Sequence, residues 1–374
     1  MKQAKVLVFL IVSSFLFAHD HDLENSRKII FPDIPGYRTL KCDLHQHTVF
    51  SDGAVWPTVR VAEAVIDNLD AIAVTEHLEY QPHKDDIPHP DRNRAYEIES
   101  KASENDSLII ISGSEITRSM PPGHSNAIFL TDANKLLLDD PLEVFKAAKE
   151  QGAFTFWNHP NWTAHRKDGI ATLTDMHKML IKEGLLNGIE VVNEYTYSDE
   201  ALQIALDNNL TILGTSDIHG IIDWEYDVPG GGHRPVTLVF ANEKSTNGIK
   251  QGLENRRTVV FFNDMLIGRP EHLLPLLKAS VTISEAKYQK GKQVLNVTLH
   301  NNTSCEFQLQ NKSKYTFHNS GDLLTIEPLS DATIEVKTIE VLDKVKLNFT
   351  VLNAVTAPAT HPDVEFEIDL KGTN

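Results

Sequence analysis

Two patterns of hydrophobic residues divide the chain near residue 275. Before about residue 263, short runs of Val, Ile and Leu are separated by segments whose apolar residues recur at helical spacing. Runs with little polar alternation are typical of strands that are buried on both faces, as in parallel sheets. The pattern predicts strands at residues 39–48, 71–77, 108–116, 154–159, 188–193, 211–217 and 235–241.

The segments between these strands predict helices. Pro57 suits the first position of a helix, where its missing N–H leaves no hydrogen bond unmade. Val61, Ala62 and Val65 then begin an apolar stripe at helical spacing, and Pro141 begins another helix in the same way. Strands that alternate with helices over about 230 residues predict an α/β barrel or a doubly wound sheet.

The pattern changes after Pro275. Segments such as V-L-N-V-T-L, K-V-K-L-N-F-T-V and V-E-F-E-I-D-L alternate apolar and polar residues, which indicates strands with one face in water. About seven short strands in about 100 residues predict an immunoglobulin-like sandwich. We therefore predict an α/β domain at residues 19–274 and a small all-β domain at residues 275–374, and this second domain carries no group of residues that looks catalytic.

The first 18 residues have the pattern of a targeting segment. Lys2 and Lys5 precede an apolar run that ends at Ala18. The run is too short to cross a bilayer comfortably, which takes about 20 residues. It is typical of a cleaved secretory signal, with an uncleaved anchor as the alternative. We expect the mature protein to be exported to the periplasm or the cell exterior, with no membrane span after cleavage.

Composition narrows the classes of function. The chain has 35 Lys and Arg against 52 Asp and Glu, a formal net charge of −17, which argues against a nucleic-acid-binding surface. Its two cysteines, Cys42 and Cys305, exclude a disulfide framework and a thiolate zinc site. The 17 histidines are the abundant candidate metal ligands.

Histidines and carboxylates stand at or just beyond the ends of the predicted strands. The segment D-L-H-Q-H ends the first strand, and strand alternation places Asp43, His45 and His47 on one face. Further residues of this kind follow the other strands: Asp52, His77, Glu115, His124, His159, Asp217 and His219. In a barrel the strand ends meet at one rim, where active sites are built, so the sequence predicts a metal site there.

The motifs that carry these residues resemble those of the PHP family, named for its polymerase and histidinol phosphatase members. They are K-C-D-L-H-Q-H-T-x-x-S-D-G, A-V-T-E-H, G-S-E-I, G-H, N-H-P and S-D-I-H-G, in that order, over residues 39–263. The resemblance implies a distorted (β/α)7 TIM-like barrel with two or three metals. Within the family, the chain looks most like secreted phosphoesterases with an added C-terminal β domain, some of which are phosphodiesterases.

The resemblance also implies a ligand set, which we carry over by position. The expected ligands divide into three groups: His45, His47, Glu115 and Asp217 for one metal; Glu115, His124 and His159 for a second; and Asp52, His77 and His219 for a third. Glu115 would bridge the first two metals. Glu76 stands where many relatives have Asp before the histidine, and we expect it to support the ligands without binding metal.

The donor types indicate the chemistry. Imidazole and carboxylate together favour Zn²⁺, Mn²⁺ or Fe²⁺ over Ca²⁺ and Mg²⁺, which prefer oxygen ligands alone. Two to three such ions at this rim predict hydrolysis of a small phosphorylated substrate, with a water between two metals as the nucleophile. We assign catalytic roles to Glu115 and Asp217, because both hold the metal pair.

Three cationic residues are candidates for binding the phosphoryl group. Arg118 follows Glu115 past a strand end, and His233 and Arg234 lie in the glycine-rich loop G-G-G-H-R-P. Because a dianionic monoester needs more cationic donors than a diester, this small number favours a phosphodiester. A phosphomonoesterase of the histidinol phosphatase type remains open.

Two other readings remain. Amidohydrolases also begin with H-x-H in a metal-binding barrel, but S-D-G after that motif and the D-x-H ending favour a phosphoesterase. A secreted binding protein with a degenerate barrel is the other. The sequence also leaves open a homo-oligomer, and it leaves Trp157 and Trp162 as either pocket wall or core. We expect His165 and His177 to be solvated.

Overall fold

The computed structural model describes residues 27–318 and 320–371. The predicted signal at residues 1–18 lies outside these described residues. Among the helices of the described part, none combines the length and the apolar character that a membrane span requires.

Within the described residues, the N-terminal domain contains twelve strands and eight α-helices. Its strands are β1 (Arg38–Asp43), β2 (Ala71–Ala73), β3 (Ile109–Ile111), β4 (Gly113–Ile116), β5 (Ser125–Ile128), β6 (Phe154–Trp157), β7 (Gly188–Asn193), β8 (Thr196–Tyr197), β9 (Thr211–Thr215), β10 (Val236–Ala241), β11 (Thr258–Phe262) and β12 (Met265–Gly268). Its helices are α1 (Pro57–Ile66), α2 (Arg94–Ala102), α3 (Pro141–Glu150), α4 (Asp175–Lys182), α5 (Asp199–Asp207), α6 (Ile222–Glu225), α7 (Thr246–Glu254) and α8 (Pro270–Ser280).

Seven strands close the barrel, with β4 continuing the line of β3. β1, β2 and β3 are parallel neighbours, and β6, β7 and β9 form a second parallel group. Parallel bridges from His77 to Glu115 and from Gln46 to Ile218 join the two groups beyond the regular strand ends. The predicted distorted (β/α)7 barrel is therefore confirmed, and the bridges bring the ligand-bearing segments together.

One strand of the barrel differs from the prediction. β5, which the sequence analysis did not predict, lies between β4 and β6 in the barrel and runs antiparallel to both. Its four residues include Ser125 and Asn126, so no apolar run marked it in the sequence. The segment predicted at 235–241 does form a strand, β10, but it runs antiparallel to β1 and leads into the outlying strands β11 and β12.

Helix α1 begins at Pro57 as predicted, but it turns a different face to the core. Val65 and Ile66 are exposed, whereas Arg60 is fully buried. The Arg60 guanidinium donates to the carbonyls of His47 and Ile218 at 2.9 and 3.3 Å and pairs with Glu63 at 2.7 Å. A buried cation thus ties the ends of β1 and β9 to this helix.

The C-terminal domain is a sandwich of two antiparallel sheets, as predicted. Its strands are β13 (Val281–Tyr288), β14 (Val294–Asn301), β15 (Phe307–Asn311), β16 (Leu323–Ile326), β17 (Asp331–Lys337), β18 (Lys344–Val351), β19 (Ala354–Val355) and β20 (Asp363–Asp369). One sheet has the order β13-β14-β17, and the other has the order β16-β15-β18-β20. The predicted boundary after residue 274 falls inside α8, which continues to Ser280.

The two domains share one hydrophobic core. β19 pairs with β12 of the barrel domain, and the Asn353 amide donates to the carbonyls of Asp264 and Glu306 at 2.6 Å. Leu273 and Leu276 of α8 belong to the same buried cluster as the sandwich residues. The sandwich therefore extends the barrel at its β10–β12 edge, and none of its described residues lines the cavity described below.

Candidate metal centre

The ends of β1 and β9 place the first ligands. The Asp217 amide donates to the carbonyl of His45 at 2.9 Å, and the His47 amide donates to the carbonyl of Ile218 at 3.0 Å. This parallel pairing brings the H-x-H motif of one strand against the D-x-H motif of the other, although the two lie far apart in the sequence.

Three donor atoms form a nearly equilateral triangle. Nε2 of His45 and Nε2 of His47 are 3.1 Å apart, and they lie 3.1 and 3.0 Å from Oδ1 of Asp217. Ligand atoms bound to one divalent ion at about 2.0–2.2 Å have separations of this size. The buried Oδ1 of Asp217 accepts no hydrogen bond from the described residues, so it is available to an ion.

Glu115 stands at the centre of the cluster. The carboxylate is fully buried and faces five imidazole rings, those of His45, His47, His77, His124 and His159. Its Oε1 lies 3.1 Å from Nδ1 of His124, 3.5 Å from Nε2 of His159 and 3.6 Å from Nε2 of His45. Neither Oε2 of Glu115 nor Nδ1 of His124 has a hydrogen-bond partner in the described part of the chain. This position suits a carboxylate that bridges two metals.

Asp52 organises a third group. Its Oδ1 lies 3.2 Å from Nε2 of His219, and its Oδ2 lies 3.4 Å from Nε2 of His77. His77 also contacts Glu115 through Nδ1, so it lies between the second and third predicted groups. All nine predicted ligands therefore lie in one cluster, and their N and O donors fit divalent metals.

Two ligands adopt left-handed backbone conformations. The φ angle is +30° at His159 and +49° at Asp217. Non-glycine residues rarely adopt positive φ, and such conformations persist where the surrounding structure enforces them, often at functional sites. Here the turns direct both side chains toward Glu115 and the H-x-H motif.

Glu190 is a supporting residue that the sequence reasoning missed. Its Oε1 accepts from Nδ1 of His45 at 2.8 Å and from Oγ1 of Thr215 at 2.7 Å, and its Oε2 accepts from the amide of His159 at 2.7 Å. A carboxylate on the far nitrogen of a histidine ligand fixes the ring and makes it a better donor. The sequence did contain a sign of this role, a single Glu within the buried strand G-I-E-V-V-N. A glutamate is seldom fully buried without a partner, so its position indicates a bound neighbour.

Glu76 supports His47 through Ser51. Nδ1 of His47 lies 3.1 Å from Oγ of Ser51, which donates to the Glu76 carboxylate. The amide of Thr48 also donates to Glu76, at 3.1 Å. Glu76 thus orients the ligand-bearing loop.

The carboxylates and neighbouring imidazoles of the cluster shift the pKa values of its histidines in opposite directions. Burial lowers the pKa of His45 and His77, but neighbouring carboxylates outweigh it and raise these pKa values to about 10 and about 11. Asp217 and Glu190 act on His45, and Glu115 and Asp52 act on His77. Burial, together with the rings of His77 and His219, lowers the pKa of His47 to about 3, so this imidazole is neutral near pH 7.

The predicted substrate residues in the glycine-rich loop lie outside the site. Arg234 is only 1% exposed and pairs with Asp43 at 3.2 Å and with Asp67 at 2.7 Å. His233 stacks on Phe261, with ring centroids 3.9 Å apart. The predicted role of Arg234 was wrong, because two buried carboxylates hold its side chain inside the domain. His233 does not line the cavity over the metal cluster.

Arg118 also has other partners. Its Nε pairs with Glu79 at 2.8 Å, and its Nη1 donates to the carbonyl of Asp139 at 3.3 Å. It does not line the cavity over the metal cluster. The structure therefore gives no support to its predicted role as a phosphate clamp.

A cavity of about 150 Å³ opens over the cluster. Seven of the nine predicted ligands line it, together with Trp162, Asn193 and Glu194. Trp162 is thus pocket wall, whereas Trp157 is core and stacks on His177 at 4.0 Å. The expectation that His177 is solvated was wrong, because the ring is buried and its Nε2 donates to the carbonyl of Pro122 at 2.6 Å.

Two solved structures are similar to this chain, and the first agrees with this architecture. A crystal structure from Bacteroides vulgatus ATCC 8482, described as a two-domain protein containing a predicted PHP-like metal-dependent phosphoesterase, is 42% identical. The match covers 91% of this chain and 98% of that chain, with a TM-score of 0.85. PsfC from Pseudomonas syringae PB-5123 is 19% identical over 60% of this chain and 92% of its own, with a TM-score of 0.43.

The second domain has its own family match. An Ig-like domain family, DUF5001, matches residues 281–367. No curated protein sequence matches the chain. The identity and coverage shared with the Bacteroides vulgatus protein show that this chain belongs to the family of PHP-like metal-dependent phosphoesterases, in the two-domain form with a C-terminal Ig-like domain.

Proposed function

We propose that the protein hydrolyses a phosphodiester with the help of two to three divalent metal ions. The observation that carries the proposal is the position of Glu115, fully buried among five imidazoles, beside the triangle of His45, His47 and Asp217. Family membership supports the class of reaction. The mixed imidazole and carboxylate donors favour zinc, manganese or iron.

Bound metals would supply Lewis-acid polarisation of the phosphoryl group and a water nucleophile of lowered pKa. The protein's own part is to hold and orient. Glu190 fixes the ring of His45, Glu76 fixes the loop of His47 through Ser51, and the Asn158 amide donates to Oε1 of Glu115 at 2.8 Å. The ligands are therefore arranged before substrate arrives, and little reorganisation remains for the reaction itself.

The charge of the cavity favours a diester. None of the described lysine or arginine side chains lines the cavity, and the two predicted arginine clamps pair with carboxylates elsewhere. A monoester dianion requires more positive charge than a diester monoanion, and here only the metals would supply it. We therefore infer that the preferred substrate has a single negative charge on its phosphoryl group.

The test compares two p-nitrophenyl substrates on the metal-loaded protein. We expect kcat/KM to be higher for bis-p-nitrophenyl phosphate than for p-nitrophenyl phosphate, and Asp217→Asn to abolish both activities. A higher value for the monoester would replace the diester assignment with a phosphomonoesterase. Activity on amides or lactones, with none on either ester, would reverse the assignment in favour of an amidohydrolase.

We also propose that the protein works outside the cytoplasm. The support is the sequence alone, an apolar run at residues 6–18 behind Lys2 and Lys5. Cell fractionation of the native host tests this point. The protein should be found in the periplasmic or extracellular fraction with a new N-terminus near residue 19, and recovery of an uncut cytoplasmic protein would contradict it.

A further inference from the structure

The exposed Trp and Tyr side chains gather around one end of the barrel. In the described part of the chain, the most exposed Trp and Tyr side chains are 45–80% exposed; they are Trp56, Tyr80, Trp162, Tyr195 and Trp224. Each lies in a segment that follows the end of a barrel strand, on the side of the metal cluster. Large aromatic side chains clustered in this way commonly mark a ligand-binding surface.

Two of these rings flank the metal ligands directly. The centroid of Trp162 lies 5.1 Å from that of His159 and 5.6 Å from that of His124. The centroid of Tyr80 lies 5.7 Å from that of His77. Of the two, Trp162 lines the cavity over the cluster, whereas Tyr80 packs against His77 without lining it.

Glu194 adds a carboxylate to the cavity wall that is not one of the predicted ligands. It follows β7 in a left-handed conformation, with φ of +49°, and its amide donates to the carbonyl of Thr215 at 3.2 Å. The residue is exposed at the cavity, and its carboxylate has no hydrogen bond or ion pair with the described residues. Its neighbour Tyr195 packs on Tyr226 with centroids 5.2 Å apart, which fixes the segment beside the cavity.

A carboxylate and aromatic faces together are the groups that bind an ammonium ion. A cation over an indole or phenol ring is attracted by the ring's quadrupole, and a nearby carboxylate adds direct charge attraction. A second anionic group would be repelled here, because the cavity has no lysine or arginine in its described lining. The overall charge of −17 acts in the same direction.

We propose that Glu194 and Trp162 form a subsite for a positively charged ammonium group carried by an alcohol of the substrate. This inference rests on the proposed function, since it places the ammonium group next to a phosphodiester at the metals. It assigns the substrate class as a phosphodiester of an amino alcohol. Glu194 would act as a specificity-determining residue, without binding metal.

The test uses two esters that differ only in one charge. p-Nitrophenyl phosphorylcholine carries a quaternary ammonium group, and p-nitrophenyl 3,3-dimethylbutyl phosphate has a carbon atom in place of the nitrogen. Both release p-nitrophenolate, so the leaving group is the same. We expect the metal-loaded protein to have a kcat/KM about tenfold higher for the choline ester, the size expected for a partly desolvated cation beside an aromatic ring and a carboxylate.

Substitutions locate the subsite. Glu194→Gln and Trp162→Leu should each bring the ratio of the two kcat/KM values close to one. Glu254→Gln makes the same change in net charge at the other end of the barrel, and it should keep the ratio of the unchanged protein. Metal content measured on each variant separates a lost subsite from a damaged metal centre.

Three results would overturn the inference. Equal rates on the two esters, or a preference for the uncharged one, would remove the ammonium subsite and leave the proposed phosphodiesterase standing. A Glu194→Gln protein that keeps the preference would show that another group recognises the cation. A Glu194→Gln protein that loses metal would make Glu194 a ligand, whereas hydrolysis of neither ester by the metal-loaded protein would instead count against the proposed function.

Discussion

Nδ1 of His45 lies 2.8 Å from Oε1 of Glu190, and both side chains are fully buried. Because Nδ1 donates to this carboxylate, Nε2 faces the opposite way, toward Oδ1 of Asp217 at 3.1 Å. The same carboxylate accepts from the backbone of His159. One residue of β7 therefore sets the orientation of ligands from two other strands, and the metal centre depends on a side chain that lies behind it.

This relationship predicts the effect of Glu190→Gln. The amide keeps the size of the side chain but loses its charge, so His45 becomes a weaker donor and its ring is less firmly oriented. We expect metal affinity, measured by competition with a chromophoric chelator, to fall about 10- to 100-fold. The Glu143→Gln control removes a carboxylate from the exposed surface of α3 and should leave the affinity unchanged. Equal affinities for the unchanged and Glu190→Gln proteins would contradict the supporting role.

Glu115→Gln tests the bridging position. The substitution removes the negative charge that five imidazoles share, so a metal pair would no longer be held together. We expect at least one metal fewer per chain by elemental analysis, and a loss of kcat by several orders of magnitude. The circular dichroism spectrum should remain that of the unchanged protein. Full activity with full metal content in this variant would exclude the proposed centre.

Arg234→Met should affect stability and leave substrate binding intact. The guanidinium pairs with two buried carboxylates, Asp43 and Asp67. Its removal leaves Asp43 without a cationic partner, whereas Asp67 keeps its pair with Arg27 at 2.7 Å. Breaking a buried ion pair in this way costs about 3–5 kcal/mol of unfolding free energy. Urea denaturation measures that loss. A higher KM with unchanged stability would instead restore the phosphate-clamp role that the structure removes.

Metal binding should release protons. In the metal-free cluster the pKa values of His45, His77 and His219 are raised to about 10, 11 and 9, because the attraction of nearby carboxylates exceeds the effect of burial. These rings are therefore protonated at pH 8, and an ion must displace their protons. Metal affinity should accordingly rise with pH and fall as the solution becomes acidic.

Isothermal titration calorimetry at pH 8, in buffers of different ionisation enthalpy, counts the protons released per metal. We expect more than one proton for the complete set of metals. A heat that is independent of the buffer would show that the histidines are already neutral.

The metal-free protein should show the linked effect on folding. Since raised histidine pKa values stabilise the fold below about pH 6.5, that stability should disappear as the pH rises through about 9 to 11.

The sequence was informative where a local pattern determined position. Strand alternation put His45 and His47 on one face, and the resemblance to the PHP family put Asp217 beside them. The apolar runs also located most barrel strands, and period-two alternation located the sandwich. β5 was missed because two of its four residues, Ser125 and Asn126, are polar, although all four are buried in the folded domain.

Long-range pairing of charges was beyond the sequence. Arg234 pairs with Asp43 and Asp67, which are 191 and 167 residues away in the sequence. Its position in a loop therefore suggested a free cation, whereas in the folded domain both carboxylates bind it. Arg60 of α1 is also held by distant groups, the carbonyls of His47 and Ile218. These bonds turn a polar face of the helix inward, where the sequence predicted an apolar one. Glu190 and Glu194 were missed for the same reason, since only the closed barrel shows what each faces.

The central claim is that these residues bind catalytic metal, and one paired measurement tests it most directly. The protein would be purified without chelator, its metal content determined by elemental analysis, and its hydrolysis of bis-p-nitrophenyl phosphate followed before and after removal and return of the metal. We predict two to three ions per chain, with activity that is lost with the metal and restored with it. Protein that holds no metal, or hydrolysis that persists after complete metal removal, would contradict the account.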